Sequence, residues 1–424
     1  MERYVELLGN IIQGRVSASP KTARGLLNAA YSWVRFSAGR SRKPGIRAAY
    51  DRLNGAVAGT IVDSFRRPDQ AVMVNIFFPC EMLHALGLQP MFPEGLSAYL
   101  ACTACQHVFA ERAEAADIPE SFCSYHKTML GAAESGVMPK PLLIANTTLA
   151  CDANQLSFRR LAQFYQAPHT VIDVPDRNDE DAVAYVAEQL RQVTAQMEEL
   201  SGRKLQPEAL KAAVDCSRRT IERYRAFLAL RGQVSLDTTM TGELCSLIMD
   251  HVMLGRPESE TYVEELLRCA QSAPARRPDR RRVFWMHTLP NWQDSMKAAL
   301  EGDRCELVGT DLSVDYLGDM DPERPYESMA RRVVYSINNG PAMRRIEASL
   351  KAAKETGAEG VIVFCHWGCK QTMGLSQLAK QVFEAEGLPT LVLDGDGCDS
   401  RNVADGQMVT RVNAFLEQLE GLAR

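Results

Sequence analysis

Short, nearly continuous apolar runs bounded by turn residues recur along the chain, and apolar positions fall at helical intervals between them. The runs are Ala71–Phe78, Leu88–Phe92, Pro141–Asn146, His169–Val174, Val283–His287, Cys305–Gly309, Gly360–Cys365 and Pro389–Asp394. Runs of this length without polar alternation predict strands buried on both faces, which belong to parallel sheets covered by helices. Residues 61–175 and 276–424 therefore predict an α/β protein with two doubly wound, flavodoxin- or Rossmann-like parallel-sheet domains. Their similar plan hints at an old duplication.

The remaining segments carry helical spacing alone. Leu7, Leu8, Ile11 and Ile12, then Leu26, Leu27, Ala30, Trp33 and Val34, predict an N-terminal helical segment over residues 1–60. Ala182, Val183, Val186, Leu190, Val193, Met197 and Leu200 form one face, and a second helix follows Pro207 through Cys216, Ile221, Tyr224 and Leu228. With no strand among them, residues 176–275 read as a helical spacer or oligomerisation region. The run Pro274–Arg282 holds two prolines and five arginines, which predicts an exposed linker outside any core.

At 424 residues the chain has room for two or three domains, and its 46% hydrophobic, 24% charged composition is that of an ordinary globular protein. A net charge of −5 gives no global reason to expect nucleic acid. Residues 1–50 carry nine Lys and Arg against two Asp and Glu, which a solvated helical face explains. No run of about 18 apolar residues suggests a membrane span. The opening Met1-Glu2-Arg3-Tyr4 leads to no secretory pattern, so a cytoplasmic protein is expected.

Twelve cysteines in a reducing compartment are not a disulfide framework, so they are buried fillers, reactive thiols or metal ligands. Cys80, Cys123, Cys151, Cys365, Cys369 and Cys398 share a position type, at strand ends or in adjacent turns, three in each α/β unit. Two sheets facing each other across their carboxyl edges are expected to gather all six in one inter-domain cleft, a setting suited to an iron–sulfur site. Cys105, read as lying within a helix, is the alternative to Cys80. Cys102, Cys216, Cys245 and Cys269 are assigned to packing.

Phe78-Pro79-Cys80-Glu81, Cys123-Ser124-Tyr125-His126-Lys127, Ala150-Cys151-Asp152-Ala153-Asn154, His366-Trp367-Gly368-Cys369-Lys370, Asp394-Gly395-Asp396 and Thr410–Phe415 together resemble the 2-hydroxyacyl-CoA dehydratase and benzoyl-CoA reductase superfamily, nearest its double-cubane cluster proteins. For a dehydratase subunit the resemblance implies one four-iron cubane on Cys123, Cys151 and Cys365, with one iron left open to the substrate carbonyl. For the double-cubane branch it implies two sulfide-bridged cubanes on all six thiolates. It also implies a separate, dimeric, ATP-hydrolysing iron–sulfur activator, and a homodimer is expected. The chain itself has no G-x4-G-K-[ST] phosphate loop, in keeping with nucleotide turnover elsewhere.

Proton donors and hydrogen-bond donors beside the ligands complete the expected site. Glu81, His126, His366 and Lys370 are the catalytic candidates, with Lys127 and Gln371 as further neighbours of the thiols. Asp394, Asp396, Asp399 and Arg401 are expected to order the loop around Cys398, and Arg411 to be structural. The leading expectation is thus an iron–sulfur oxidoreductase reducing small molecules with activator-delivered electrons. The alternatives are a single-cluster 2-hydroxyacyl-CoA dehydratase subunit, a lyase, and an electron carrier without catalysis.

Overall fold

The computed structural model describes residues 2–422. Eight strands form two four-stranded, wholly parallel sheets. The first contains β1 (Ala71–Val74), β2 (Gln89–Met91), β3 (Leu143–Thr147) and β4 (His169–Ile172) in the order β2-β1-β3-β4. The second contains β5 (Arg281–Met286), β6 (Cys305–Thr310), β7 (Gly360–His366) and β8 (Thr390–Gly395) in the order β6-β5-β7-β8. The two topologies are identical, so the strand order reverses at β1/β3 in one unit and at β5/β7 in the other. Such a reversal splays the connecting loops apart and opens a crevice beyond the strand ends.

Strand periodicity divides each core. In the second sheet Val283, Trp285, Ile362 and Phe364 pack on one face, and Phe284, Met286, Val361 and Val363 on the other. In the first, Val72, Val74, Leu143 and Ala145 share a core with helices of the 180–271 region, including Val183, Val186, Leu190 and Tyr262. The segment expected to be a spacer is therefore a covering layer of the first sheet. Ala71, Met73 and Ile144 face the opposite core, which includes Leu27 and Tyr31 from the N-terminal helices.

The arginine run is an exposed linker only as far as Asp279. Arg281 begins β5, and Arg280, Arg281 and Arg282 are all buried. Arg282 donates to the carbonyls of Arg231 (2.6 Å), Thr356 (2.8 Å) and Val234 (2.9 Å), and Glu306 lies 3.5 Å away. Arg280 donates to the carbonyls of Cys305 and Leu236. A guanidinium spreads its charge over five N–H groups, so a ring of fixed carbonyls and a carboxylate substitutes for water. Among the described residues no helix is long and apolar enough to cross a membrane.

Candidate active site

The two switch points face one another across a cavity of about 150 Å³. Its walls include Ile76 and Phe77 beyond β1, Ala150 and Cys151 beyond β3, His287 and Thr288 beyond β5, and His366 and Cys369 at and beyond the end of β7. Side-chain ties fix these ends. Asn75 donates to the Leu149 carbonyl (2.8 Å) and accepts from the Thr147 N–H (3.0 Å), bracing β1 against β3. In the second unit Asp311 accepts from the His287 N–H and from Arg345 Nε, both at 2.7 Å.

Three thiols reach this cavity: Cys123, Cys151 and Cys369. Each is the N-cap of a helix, Ser124–Glu134, Asp152–Tyr165 and Lys370–Ala385 respectively. The positive end of each helix dipole therefore points at a sulfur, which favours thiolate. Cys151 and Cys369 follow β3 and β7, the corresponding strands of the two units. Burial raises the Cys123 pKa well above the ordinary thiol value, and the neighbouring charges of Cys369 and Cys151 raise it further. Burial pushes Cys151 up to about 12, opposed by hydrogen bonds from the Asn154 and Ala153 N–H groups.

Gly368 makes the approach possible. Its φ is +76°, and a Cβ there would stand 2.5 Å from the Cys123 amide nitrogen. The Trp367–Cys369 turn thus rests directly on the chain at Cys123, bringing thiols from the two units to one cavity.

Burial holds the imidazoles of His366, His126 and His287 below the ordinary histidine pKa. His366 Nδ1 accepts from the Gly397 N–H (3.0 Å), so its proton sits on Nε2, 3.3 Å from Cys123 Sγ, and is donated to sulfur. Burial lowers the His366 pKa and takes that of His126 down to about 3. His287, at φ +88°, accepts from Arg345 at Nδ1 (3.3 Å), and burial holds its pKa well below the usual range. Arg345 also donates to Gln371 Oε1 (3.1 Å), while Gln371 Nε2 donates to the Ala150 carbonyl (2.8 Å), crossing between the units beside Cys151.

Unpartnered polar atoms converge on the same cavity. His126 Nδ1, Glu94 Oε2, Asn154 Oδ1, Thr288 Oγ1 and both amide atoms of Asn338 are sealed from solvent without a hydrogen-bond partner. Native proteins rarely leave such atoms unsatisfied, and their concentration marks a place that a bound group completes. No three His, Cys, Asp or Glu side chains among the described residues are close enough to ligate a single ion. A four-iron cluster is wider than an ion and takes one thiolate at each iron corner, so three thiols around a shared cavity fit it.

The other expected site residues lie elsewhere. Cys80 is buried in the first unit's core, its Sγ 3.3 Å from the Phe78 carbonyl oxygen. Glu81, beside it, is fully buried in an ion pair with Arg332 (2.8 Å) and accepts from Ser217 (2.9 Å), so it is a structural charge. Cys365 precedes His366 in β7, so strand alternation turns it to the other side of the sheet, and it does not line the cavity. Cys398 is enclosed by Thr128 Oγ1 (3.4 Å) and the Ser97 carbonyl (3.5 Å). Of the six thiols expected in one cleft, Cys123, Cys151 and Cys369 line this cavity. Lys370 is exposed and does not line the cavity, and Lys127 is buried against Glu114 (2.8 Å). Cys105 caps the helix Gln106–Glu114 within the N-terminal core instead of lying inside a helix. Asp399 and Arg401 pair at 2.7 Å and order their loop.

Glu94, His287 and Arg345 were not singled out in the sequence. Of these only His287 carried a signal, because it directly follows the β5 apolar run.

Two parallel α/β units thus meet at a cavity lined by three thiols and several imidazoles, an arrangement of the α/β enzyme class. The family model described as 2-hydroxyglutaryl-CoA dehydratase, D-component, matches residues 75–419, and the chain belongs to that family. It is similar to the (R)-phenyllactyl-CoA dehydratase alpha subunit of Clostridium sporogenes, with 22% identity over 361 residues, covering 80% of this chain and 87% of the relative. It is likewise similar to the (R)-2-hydroxyisocaproyl-CoA dehydratase alpha subunit of Clostridioides difficile, with 21% identity over 399 residues, 87% of this chain and 95% of the relative. The lactoyl-CoA dehydratase subunit alpha of Anaerotignum propionicum is 22% identical over 376 residues, 81% and 89% of the two chains.

Proposed function

We propose that this chain is a subunit of a 2-hydroxyacyl-CoA dehydratase that carries one four-iron cluster on Cys123, Cys151 and Cys369. The carrying observation is the convergence of these thiols, each at a helix N-terminus, on one cavity between the two switch points. Cys80, Cys365 and Cys398 do not line that cavity, which favours this reading over a double cubane and a small-molecule reductase. When bound, such a cluster supplies a low-potential electron and an open iron position that polarises a thioester carbonyl.

The chain's own residues prepare the site. His366 donates to the Cys123 sulfur, which stabilises a reduced state. The Arg345–Gln371 bridge holds the Cys151 loop of one unit to the second unit.

The walls also favour a substrate class. Phe77, Phe92, Leu244, Leu247, Ile248 and Leu312 line the cavity, and its one cation, Arg345, is committed to Asp311 and Gln371. A second carboxylate on the acyl group would be buried without a partner, so the reading is a thioester with an apolar 2-hydroxyacyl side chain. An ATP-hydrolysing activator delivers the electron. A second, different subunit, suggested by the alpha-subunit names of the relatives, replaces the homodimer expectation.

The test is turnover with partner subunit, activator, ATP and a reductant. 2-Hydroxyisocaproyl-CoA or phenyllactyl-CoA should be dehydrated with kcat/KM at least about 100-fold above that of 2-hydroxyglutaryl-CoA. Reduction of small unsaturated molecules with no thioester dehydrated would sink the proposal.

A further inference from the structure

We propose that Asn338 reads the 2-hydroxyacyl unit of the substrate, its Oδ1 accepting from the 2-hydroxyl and its Nδ2 donating to the thioester carbonyl. This rests on the dehydratase reading above, and it is the contact by which that cavity tells a 2-hydroxyacyl thioester from an acyl thioester without the hydroxyl. Asn338 lies between the helices Pro325–Val334 and Ala342–Glu355, lines the cavity and is 5% exposed. Both of its amide atoms are sealed from solvent without a hydrogen-bond partner.

The loop that carries it is pinned on both sides, so the unpaired amide is not a product of slack backbone. Ile337 donates its N–H to Asp315 Oδ1 (2.7 Å), and Ser336 Oγ donates to the same carboxylate (2.8 Å) while accepting from the Asn338 N–H (3.1 Å). Beyond it, Asn339 Nδ2 donates to the Val334 carbonyl and, across to the first unit, to the Pro175 carbonyl, both at 2.9 Å. Ser336 and Asn339 thus hold the loop, and the carboxamide between them is left to face the cavity.

The chemistry of that carboxamide selects the unit it takes. A buried donor and acceptor held in one plane call for a ligand that offers an acceptor beside a donor. In a 2-hydroxyacyl thioester the carbonyl oxygen and the hydroxyl O–H sit on adjacent carbons, and the apolar remainder of the acyl chain offers neither. The cavity's other unpartnered groups present one atom each: Thr288 Oγ1, Asn154 Oδ1, His126 Nδ1 and Glu94 Oε2. Of the other carboxamides on the wall, Gln371 is engaged by Arg345 and the Ala150 carbonyl, and Asn154 turns its Nδ2 to the Leu149 carbonyl (3.5 Å). A thioester lacking the hydroxyl would leave Asn338 Oδ1 buried and unpaired, a loss that the hydroxylated substrate avoids.

Equilibrium binding to the cluster-loaded complex of this chain and its partner subunit, without activator or ATP so that nothing turns over, compares 2-hydroxyisocaproyl-CoA with isocaproyl-CoA. Wild type should bind the hydroxylated thioester about 30-fold tighter. Asn338→Leu, similar in shape but without the amide, should bring that preference below about threefold with iron content unchanged. A wild-type measurement stands independently of how the variant folds. In 2-fluoroisocaproyl-CoA the fluorine fills the hydroxyl's place but has no proton to donate, so this analogue should bind within about threefold of isocaproyl-CoA. An Asn338→Leu protein that keeps the wild-type preference overturns the proposal, whether or not its overall affinity falls, as does loss of iron, which marks a structural role. Binding of the fluoro analogue as tightly as the hydroxylated thioester overturns it equally. Wild-type protein that dehydrates no thioester in the complete system overturns the dehydratase reading itself and this assignment with it.

Discussion

Replacing Gly368 by alanine strikes the contact that brings the thiols of the two units together. At φ +76° an L-residue costs about 1–2 kcal/mol relative to glycine. The added Cβ would also stand 2.5 Å from the Cys123 nitrogen and 2.6 Å from the Phe122 carbonyl carbon. Both are backbone atoms of the turn leading into a buried helix and cannot rotate away, so overpacking adds about 1–3 kcal/mol. The sum is roughly 2–5 kcal/mol unless the Trp367–Cys369 turn lifts off, which withdraws Cys369 from Cys123. Urea denaturation of the metal-free protein and iron content after anaerobic reconstitution read the two outcomes. We expect a lower urea midpoint, less retained iron, or both. Gly374→Ala is the control, since nothing lies within 4 Å of that Cβ in the helix Lys370–Ala385, and it should gain about 0.5–1 kcal/mol. A Gly368→Ala protein with wild-type stability and full iron would refute the argument.

Glu81→Gln removes the carboxylate facing buried Arg332 and leaves that charge uncompensated, so unfolding should become easier by about 3–5 kcal/mol, measured in urea, with iron binding retained in the folded fraction. Asp250 gives a pH-dependent case: burial raises its pKa to about 7, so its carboxyl favours folding below the unfolded value near 3.8 and loses that contribution as pH rises towards 7. Asp250→Asn should flatten the decline of stability across that window, and an unchanged profile would show that the carboxyl is already ionised in the native protein.

The strands were legible because each sheet is covered on both faces, which writes them as apolar runs. β1 nevertheless ends at Val74, short of Phe78, because Asn75 turns inward to tie Leu149 and Thr147, partners more than 70 residues away. The burial of Arg280–Arg282 was hidden for the same reason: the carbonyls that satisfy them belong to Arg231, Val234, Leu236, Cys305 and Thr356, scattered along the chain. Of the thiols, Cys365 was separable in principle. It and His366 are consecutive in β7, so only one of them faces the cavity side of the sheet. Glu94 had no signature, since Pro-Glu opens many helices, and only the sealed, partnerless Oε2 distinguishes it.

The most direct test of the central claim is iron and sulfide analysis of the anaerobically reconstituted wild type and its six single Cys→Ala variants. The three-thiol site predicts about four irons per chain, lost or severely reduced in Cys123→Ala, Cys151→Ala and Cys369→Ala and retained in Cys80→Ala, Cys365→Ala and Cys398→Ala. About eight irons per chain, falling when Cys365 or Cys398 is removed, would contradict it.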